Sequence, residues 1–321
     1  MEPLIHLEGI THYYGSHCAL RDVSARFDTG AIGLVGQNGA GKTTTMQIIL
    51  GLLRPTGGTV RVLGFDVPRR GVELRGRVGY MPERDAMIPG LRGVEYVALA
   101  GELCGMKRKQ AKRRAHETLS YLELEDARYR RIETYSLGMK QRLKLAATLV
   151  HDPDLLLLDE PTAGLDPDGR SAMLDLLSTI SSRRHKSLIL STHLLGDIER
   201  VCRHTIILDE GRVIGQGSID ELRAERPRRY QLRWQGAGAD FVLSLRRHGS
   251  TIDPSPRPNQ AWIHLPENVS TREVFAIALR TGVLVTGLEP EQENLETAYH
   301  RLIGSPQPSC VSEQKAAAAE S

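Results

Sequence analysis

The sequence predicts an α/β fold made of a core, an inserted helical subdomain and a second, smaller α/β unit. Short apolar runs alternate with helical segments in the first part of the chain, a pattern typical of parallel strands joined by crossover helices. A glycine-rich loop at residues 36–43 lies between one such run and a helical segment. A separate series of strands and helices begins near residue 228. These observations predict two domains.

The first strands of the core are short and lie close to the N-terminus. Rough alternation over the first ten residues and the run 18–27 predict two strands, with a turn at Gly15-Ser16. Further strands are predicted at 59–63 and 77–81, the first of them after a Pro- and Gly-containing turn.

The middle of the chain is predicted to be helical, which gives an inserted subdomain at about residues 88–150. Its three expected helices cover residues 93–104, 110–122 and 138–150. Strands return after it, each preceded by a helical segment, at residues 154–158, 187–191 and 205–208. This return of the alternation predicts that the core sheet is parallel.

The first domain is predicted to span residues 1–227, because a short helix opened by Gly217-Ser218 is expected to end at Arg226-Pro227. Residues 228–304 are expected to form a small α/β accessory domain with a split β-α-β arrangement. Its expected strands are 230–234, 261–265 and 283–288, and its expected helices are 240–247, 270–281 and 295–303. Residues 305–321 are expected to be a disordered tail.

Composition is that of an ordinary globular protein. Of 321 residues, 40% are hydrophobic and 25% charged, and the formal net charge of +3 is too small to indicate a nucleic-acid partner. The longest apolar runs are strand-sized, the N-terminus does not resemble a signal peptide, and the four cysteines form no close pair. A cytoplasmic protein is therefore expected, with any membrane span supplied by another chain. The basic run 107–114 is interpreted as a solvated helix face in preference to a nucleic-acid or anionic-lipid contact.

Residues 36–43 read Gly-Gln-Asn-Gly-Ala-Gly-Lys-Thr, which is the spacing of a phosphate-binding loop. The glycines allow successive backbone N–H groups to point into one concavity, and the following helix directs its positive end there. Lys42 is expected to bring a positive charge to the outer phosphates, and the Thr43 hydroxyl to bind Mg²⁺. The loop therefore predicts binding of a nucleoside triphosphate.

Two further segments carry candidate chemistry. Residues 155–160 are four leucines followed by Asp159 and Glu160, which a buried strand would present at the ligand-binding edge of a parallel sheet. Asp159 is placed to hold hydrated Mg²⁺, and Glu160 to act as general base for an attacking water. In the second segment, Ser136 suits a helix N-cap and Gly138 permits close backbone approach to an anion.

Taken together, these motifs resemble the nucleotide-binding subunit of ATP-binding-cassette (ABC) transporters, over about residues 4–217, and in particular the ABC-2 type exporter ATPases. The resemblance implies the P-loop NTPase fold of ABC ATPases, with residues 36–43 as Walker A, 155–160 as Walker B and 136–140 as the signature motif. It also implies that Tyr14 stacks on adenine, that Asp166 lies in the D-loop and that His193 is the switch histidine. Glu83 stands where the family carries a Q-loop glutamine, which adds negative charge beside Mg²⁺.

The expected site follows from this resemblance together with the motifs. Catalysis is assigned to Lys42, Glu160 and His193, and Mg²⁺ binding to Thr43, Glu83 and Asp159. The ATP-binding residues are expected to be Tyr14, Gly36, Gln37, Asn38, Gly39, Ala40, Gly41, Lys42, Thr43, Thr44, Glu83, Ser136, Gly138 and Asp166.

The resemblance further implies a pair of ABC subunits, a homodimer or a heterodimer, in which Ser136 and Gly138 of one chain close over the nucleotide of the other. It implies a separate transmembrane permease, export as the direction of transport, and a position on the inner face of the cell membrane. The alternative is a soluble ABC-family ATPase with a regulatory or nucleic-acid- or ribosome-linked role. Such proteins usually carry long coiled-coil inserts or two cassettes, neither of which is present, and a GTPase would need an Asn-Lys-x-Asp segment that the chain lacks.

Overall fold

A computed structural model of the protein describes residues 3–84, 87–182, 186–223, 225–255, 257–266, 268–292 and 295–304. The chain divides into two compact units, Met1–Leu222 with Tyr299–Ser321, and Arg223–Ala298. The boundaries expected from the sequence, after residues 227 and 304, differ from these by a few residues. The tail expected at 305–321 lies outside the described residues.

In the part of the chain that the structure describes, the first unit contains ten strands, which form two sheets. They are β1 (Ile5–Tyr14), β2 (His17–Phe27), β3 (Ala31–Val35), β4 (Gly57–Val62), β5 (Phe65–Asp66), β6 (Val78–Met81), β7 (Leu155–Asp159), β8 (Ser187–Thr192), β9 (His204–Asp209) and β10 (Arg212–Ser218). The smaller sheet is antiparallel, with the order β2-β1-β4-β5, and the larger has the order β10-β9-β3-β8-β7-β6.

Among the described residues, eight α-helices lie wholly in the first unit. They are α1 (Lys42–Ile49), α2 (Val67–Arg75), α3 (Gly93–Leu103), α4 (Arg108–Tyr121), α5 (Leu137–Leu149), α6 (Pro167–Ser181), α7 (Leu195–Val201) and α8 (Ile219–Leu222). Helices α3, α4 and α5 pack against one another and form the helical insertion. Helix α4 buries one face through Ala111, Ala115 and Leu119, while Lys107 and Lys109 are exposed, as expected for a solvated basic face.

The parallel core expected from the alternating pattern is confirmed, because β6, β7, β8, β3 and β9 run parallel and only the edge strand β10 is antiparallel. The register sets Val35 opposite Thr192 and Asp159 opposite Ser191. The carboxyl ends of β3, β7 and β8 therefore meet at one edge. All five residues of β7 are buried, which explains its nearly continuous apolar sequence.

The expected helix ending at Arg226-Pro227 is wrong at its C-terminal end. Helix α8 ends at Leu222, and β11 (Glu225–Gln235) begins three residues later. A proline biases the residue before it toward extended backbone, so Arg226 favours a strand at this point. Strand β10 and helix α2 were not predicted, since neither has a clear apolar period.

The second unit continues with α9 (Ala239–Arg247), β12 (Thr251–Pro254), β13 (Gln260–His264), α10 (Thr271–Arg280) and β14 (Leu284–Gln292), and α11 (Leu295–Gly304) follows. The sheet order is β12-β13-β11-β14, and all neighbours are antiparallel. Strand β13 thus lies between β11 and β12, which confirms the split β-α-β arrangement. The core of this unit includes Trp234, Phe241 and Ile277. Among the described helices, none has both the length and the apolar character needed to cross a bilayer.

Candidate functional site

The glycine-rich loop connects β3 to α1 and has little room for side chains. A Cβ on Gly36 would lie 2.5 Å from the Leu208 carbonyl oxygen, so only glycine allows this close approach. Gly39 and Gly41 have φ angles of 87° and 100°, in the left-handed region that favours glycine. Helix α1 begins at Lys42 without a side-chain cap. Its first N–H groups are thus available to an anion, as expected for a phosphate-binding loop.

The Lys42 ammonium is held at the mouth of this loop. Its side chain is 7% exposed, and Nζ donates to the carbonyl oxygens of Gly36 at 2.7 Å and Gln37 at 3.2 Å. Burial lowers the pKa of Lys42, and the negative charges of Glu160, Asp159 and Glu83 act in the opposite direction. The positive charge is poorly solvated, so it would interact strongly with an anion in the loop.

Two carboxylates stand at the end of β7, next to the loop. The Thr43 hydroxyl donates to Asp159 Oδ2 at 2.9 Å, although the two residues are 116 positions apart. Glu160 has a φ of 48°, and its N–H donates to the Ser191 carbonyl at 2.9 Å. Asp159 is 1% exposed and Glu160 6% exposed. The chain turn after β7 therefore directs both carboxylates toward α1.

Glu160 and His193 form a pair. Glu160 Oε1 accepts from the His193 backbone N–H at 3.0 Å and lies 2.9 Å from Nδ1 of the same residue. Nδ1 carries the proton in this contact, because the carboxylate is an acceptor. Within the part of the chain that the structure describes, the buried Oε2 of Glu160 has no hydrogen-bond partner. Glu160 thus presents one fixed oxygen and one free acceptor, the arrangement that a general base requires.

The side chains around the loop line one cavity of about 330 Å³. Its walls come from four separate parts of the sequence. The lining residues are Tyr14, His17, Ala19, Asn38, Gly39, Gly41, Lys42, Thr43, Thr44, Glu83, Asp159 and Glu160. Gly36, Gln37 and Ala40 belong to the same loop. His17 and Ala19 were not predicted to line the site. The only sequence feature that could have indicated them is their position just after the turn that follows Tyr14.

Tyr14 presents an accessible ring at one wall of this cavity. The residue is 47% exposed, and its ring contacts the buried His12 edge to face at a centroid distance of 4.8 Å. Its hydroxyl lies 3.5 Å from Gln47 Oε1. The remaining ring surface is available for stacking against a flat ligand.

The signature residues lie elsewhere in the same unit. Ser136 is the N-cap of α5 and accepts from the Met139 N–H at 3.3 Å. Ser136 and Gly138 line a second cavity of about 230 Å³ with Leu165. Asp166 is the N-cap of α6 and accepts from the Gly169 N–H at 2.9 Å. The structure therefore does not bring Ser136, Gly138 or Asp166 into the loop cavity of their own chain.

A buried charged network links the segments that carry Glu160 and His193. Asp197, which is 1% exposed, accepts from the Thr162 hydroxyl at 2.7 Å and from Arg170 Nε at 2.7 Å. Thr162 follows β7 closely, Arg170 lies in α6 and Asp197 in α7. These three residues were not predicted, because nothing in their local sequence pattern distinguishes them from ordinary polar residues.

The donor set suits Mg²⁺. Thr43, Asp159 and Glu83 offer only oxygen atoms to the cavity, and hard cations prefer oxygen ligands. No group of three or more His, Cys, Asp or Glu residues able to hold a metal occurs among the described residues. Mg²⁺ does not need one, since it is usually bound by one or two carboxylates together with substrate phosphates and water.

Comparison with known proteins identifies the family. The family profile described as "ABC transporter" matches residues 20–163. The chain is 32% identical, over 94% of its length and 99% of the relative's, to an uncharacterized ABC transporter ATP-binding protein, YxlF, of Bacillus subtilis. It is 35% identical to the Nod factor export ATP-binding protein I of Cupriavidus metallidurans, over 69% and 73% of the two chains.

A solved structure agrees with these relatives. The dimeric structure of MJ0796, a bacterial ABC transporter cassette, has a TM-score of 0.60 and 25% identity to this chain, and the match covers 67% of this chain and 98% of that one. This structural match agrees with the geometry of the loop and the two carboxylates, and both indicate an ABC-type core. The chain therefore belongs to the ABC transporter family and is an ATP-binding subunit of that family, with ATP hydrolysis as its activity.

Proposed function

We propose that this chain powers a separate membrane permease by hydrolysing MgATP, and that the transporter works in the direction of export. The observation that carries the proposal is the single cavity that joins the phosphate loop, Asp159, Glu160 and Tyr14. The direction is supported by the similarity to the Nod factor export ATP-binding protein I. The permease is proposed because no described helix could span a membrane and the relatives are ATP-binding proteins.

Several residues of the cavity have a role in binding. Tyr14 stacks on the adenine ring, and the backbone N–H groups of residues 36–44 surround the phosphates, with Lys42 at the outer ones. Thr43, Asp159 and Glu83 hold Mg²⁺, which neutralises charge on the phosphates when it is bound. These assignments use the oxygen atoms and the ammonium that already face the cavity.

Hydrolysis requires a base close to the terminal phosphate. Glu160 accepts a proton from the attacking water at Oε2 as the water oxygen bonds to phosphorus and the bond to the leaving ADP oxygen breaks. His193 holds the other carboxylate oxygen through Nδ1, and so fixes the orientation of the carboxylate. Water is the nucleophile, and ADP and phosphate are the products.

Two chains form each working unit. Ser136 and Gly138 line a cavity separate from the phosphate loop, so they serve the nucleotide held by a second ABC subunit. In this arrangement, the N-terminus of α5 and the Ser136 hydroxyl donate to the terminal phosphate across the interface. The partner is a second copy of this chain, and the pair lies on the inner face of the membrane beneath the permease.

The proposed function is tested by trapping the dimer. Glu160→Gln removes the base and keeps the shape of the side chain, so ATP should remain bound and the dimer should persist. We expect light scattering to show a doubling of mass for the variant with MgATP, and monomer for the same variant with MgADP. The matched control is the double variant Lys42→Ala with Glu160→Gln, which should stay monomeric because it cannot hold the phosphates.

A Glu160→Gln variant that remains monomeric at saturating MgATP would contradict the dimer. The permease is tested separately, by purifying the tagged chain from membranes and identifying the spanning protein that accompanies it. Recovery with ribosomes or DNA, and with no spanning protein, would favour a soluble ABC ATPase instead.

A further inference from the structure

Strand β6 ends at the loop that carries Glu83, and it is an edge strand of the main sheet. It pairs with β7 on one side, and no strand among the described residues pairs with its other side. Every second carbonyl of β6 points to that side. Helix α5, whose N-terminus carries Ser136, packs along this free edge. A Cβ on Gly79 would lie 2.5 Å from the Thr148 carbonyl oxygen, so the helix backbone approaches the strand very closely.

Three side chains of the α5 segment, at spacings of four and three residues, satisfy the carbonyls along this edge. Lys144 Nζ donates to the Pro82 and Glu83 carbonyls, each at 3.1 Å. The Thr148 hydroxyl lies 3.3 Å from the Tyr80 carbonyl oxygen, and His151 Nε2 lies 3.2 Å from that of Val78. We call Lys144, Thr148 and His151 the edge ladder.

The hydrogen bonds of the edge ladder differ in strength. The Thr148 hydroxyl also donates to the Lys144 carbonyl at 2.9 Å, so its single hydrogen is shared and its contact with Tyr80 is weak. Lys144 is 3% exposed, and a buried ammonium is costly unless its hydrogen bonds are made. Charged donors also form the stronger hydrogen bonds. Lys144 is therefore the main connection between α5 and the loop.

Lys144 connects two parts of the proposed nucleotide site, the Glu83 loop and the helix that begins at Ser136. Glu83, whose carbonyl accepts from Lys144, lines the phosphate-loop cavity, and its charge acts on Lys42. Tyr80 lies close enough to Asp159 and Glu83 that their charges, with burial as the larger cause, raise its pKa to about 12. At the other end, α5 begins two turns before Lys144, at the Ser136 cap.

We propose that Lys144 is a positioning residue that fixes the backbone at Pro82–Glu83, and thereby sets the position of the Glu83 carboxylate in the cavity according to the position of the signature helix. The inference rests on the proposed function, in which Glu83 helps to hold Mg²⁺. A shift of α5, as when Ser136 meets a partner's nucleotide, moves the Lys144 ammonium and with it the Glu83 loop. Lys144 itself does not line the phosphate-loop cavity.

The test compares Lys144→Met with a matched lysine. Lys186 likewise donates to two backbone carbonyls, those of Asp152 at 3.1 Å and Pro153 at 2.5 Å, but it stands at the opposite end of the main sheet. Both substitutions keep an unbranched side chain and remove the donors. Thermal unfolding, kcat and KM, and the affinity for ATP with and without Mg²⁺ by calorimetry are measured on the full chain.

We expect Lys144→Met to lower kcat about tenfold, since small displacements of a positioned group have effects of this size. The gain in ATP affinity on adding Mg²⁺ should shrink, while the affinity for ATP without Mg²⁺ stays at the wild-type value. Lys186→Met should lower the unfolding temperature and leave kcat and the Mg²⁺ effect unchanged. Thr148→Val, which removes a weak contact, should change kcat by about twofold or less.

A double variant decides whether Lys144 acts through Glu83. If it does, Lys144→Met added to Glu83→Gln should lower kcat no further than Glu83→Gln alone. Multiplicative losses, or an unchanged Mg²⁺ effect in Lys144→Met, would overturn the proposal and leave a purely structural lysine. A failure of the proposed function is distinguishable, because the wild type and Lys186→Met would then also lack ATP turnover.

Discussion

The phosphate-loop cavity and the cavity lined by Ser136 and Gly138, which we call the signature cavity, differ in how far their polar side chains are already paired within the chain. In the first, Lys42, Asp159 and Glu160 are each less than a tenth exposed and already have partners within the chain. In the second, Ser136 is exposed at a helix N-terminus, and its hydroxyl accepts from the Met139 N–H of its own first turn. Charged groups that must be desolvated are thus assembled inside one chain, whereas the donors of the signature helix face outward.

In the proposed mechanism, this contrast lets the chain bind a nucleotide in a cavity whose charged groups are already paired, and still release the products. Buried charges need fixed partners, because an unpaired charge in the interior is costly. Exposed N–H groups and a serine hydroxyl can be solvated by water, so in the proposed dimer they engage and leave the second chain at little cost. The division between the two cavities is therefore a division between permanent and reversible contacts.

The largest effect is expected from mixing two inactive variants. Lys42→Ala should lower ATP turnover by roughly 10²–10³-fold, which is the loss seen when an enzyme lacks one donor to the charge that develops in the transition state. Ser136→Ala should also lower ATP turnover strongly. In a mixed dimer, one composite site keeps both wild-type residues. We expect the equimolar mixture to recover roughly a quarter of wild-type turnover, since half of the dimers are mixed and each has one intact site.

Turnover of the mixture is measured by phosphate release after the two proteins are combined. Lys109→Ala, an exposed lysine on α4, serves as the control substitution and should leave the activity unchanged. If the mixture is no more active than the separate variants, the two cavities act within one chain and the contrast drawn above is wrong.

A smaller effect is expected at the rim of the phosphate-loop cavity. Tyr14→Ala removes the stacking surface and should raise KM for ATP about tenfold with little change in kcat, because stacking contributes similarly to ground and transition states. Tyr14→Trp should keep KM within about twofold of the wild type. An unchanged KM in Tyr14→Ala would show that adenine binds elsewhere.

The smallest effect concerns His151 of the edge ladder, and it depends on pH. Burial, the largest cause, lowers the pKa of His151, so the folded state resists protonation of this ring. Neutral His151 therefore stabilises the fold above the ordinary histidine pKa of about 6.5, and this contribution is lost as the pH falls below that value. His151→Gln can still donate to the Val78 carbonyl but does not titrate.

We expect the unfolding temperature of the wild type to fall more than that of His151→Gln between pH 7.5 and pH 5.5, by roughly 2–4 °C. Differential scanning calorimetry at the two pH values measures this difference. Equal falls in the two proteins would mean that His151 does not contribute to acid sensitivity.

The sequence predicted most elements of the core, and the reason is local. Helix α3 was expected at 93–104 and spans Gly93–Leu103, and the strand expected at 187–191 is β8, Ser187–Thr192. The regular spacing of apolar residues and the flanking glycines predict such elements well. Strands β10 and β12 were missed, since short strands with partly exposed faces carry no strong period.

The candidate site was predicted less evenly. The glycine spacing of the loop requires a particular backbone, so Lys42 and Thr43 could be assigned before any contact was known. Asp197 and Lys144 could not, because their importance lies in partners 27 and 62 positions away. A single sequence gives no information on such pairs.

The sequence alone determined the chemistry available to this protein: an anion-binding loop, two carboxylates at a strand end and a capped helix with a glycine in its first turn. These depend on residue type and short spacing, which local sterics and hydrogen bonding translate directly into conformation. Only the tertiary structure decided which groups meet, placing His193 on Glu160 and Lys144 beneath Glu83 while keeping Ser136 apart from the loop. Strand order and register bring distant residues together, and these are set by packing of the whole core.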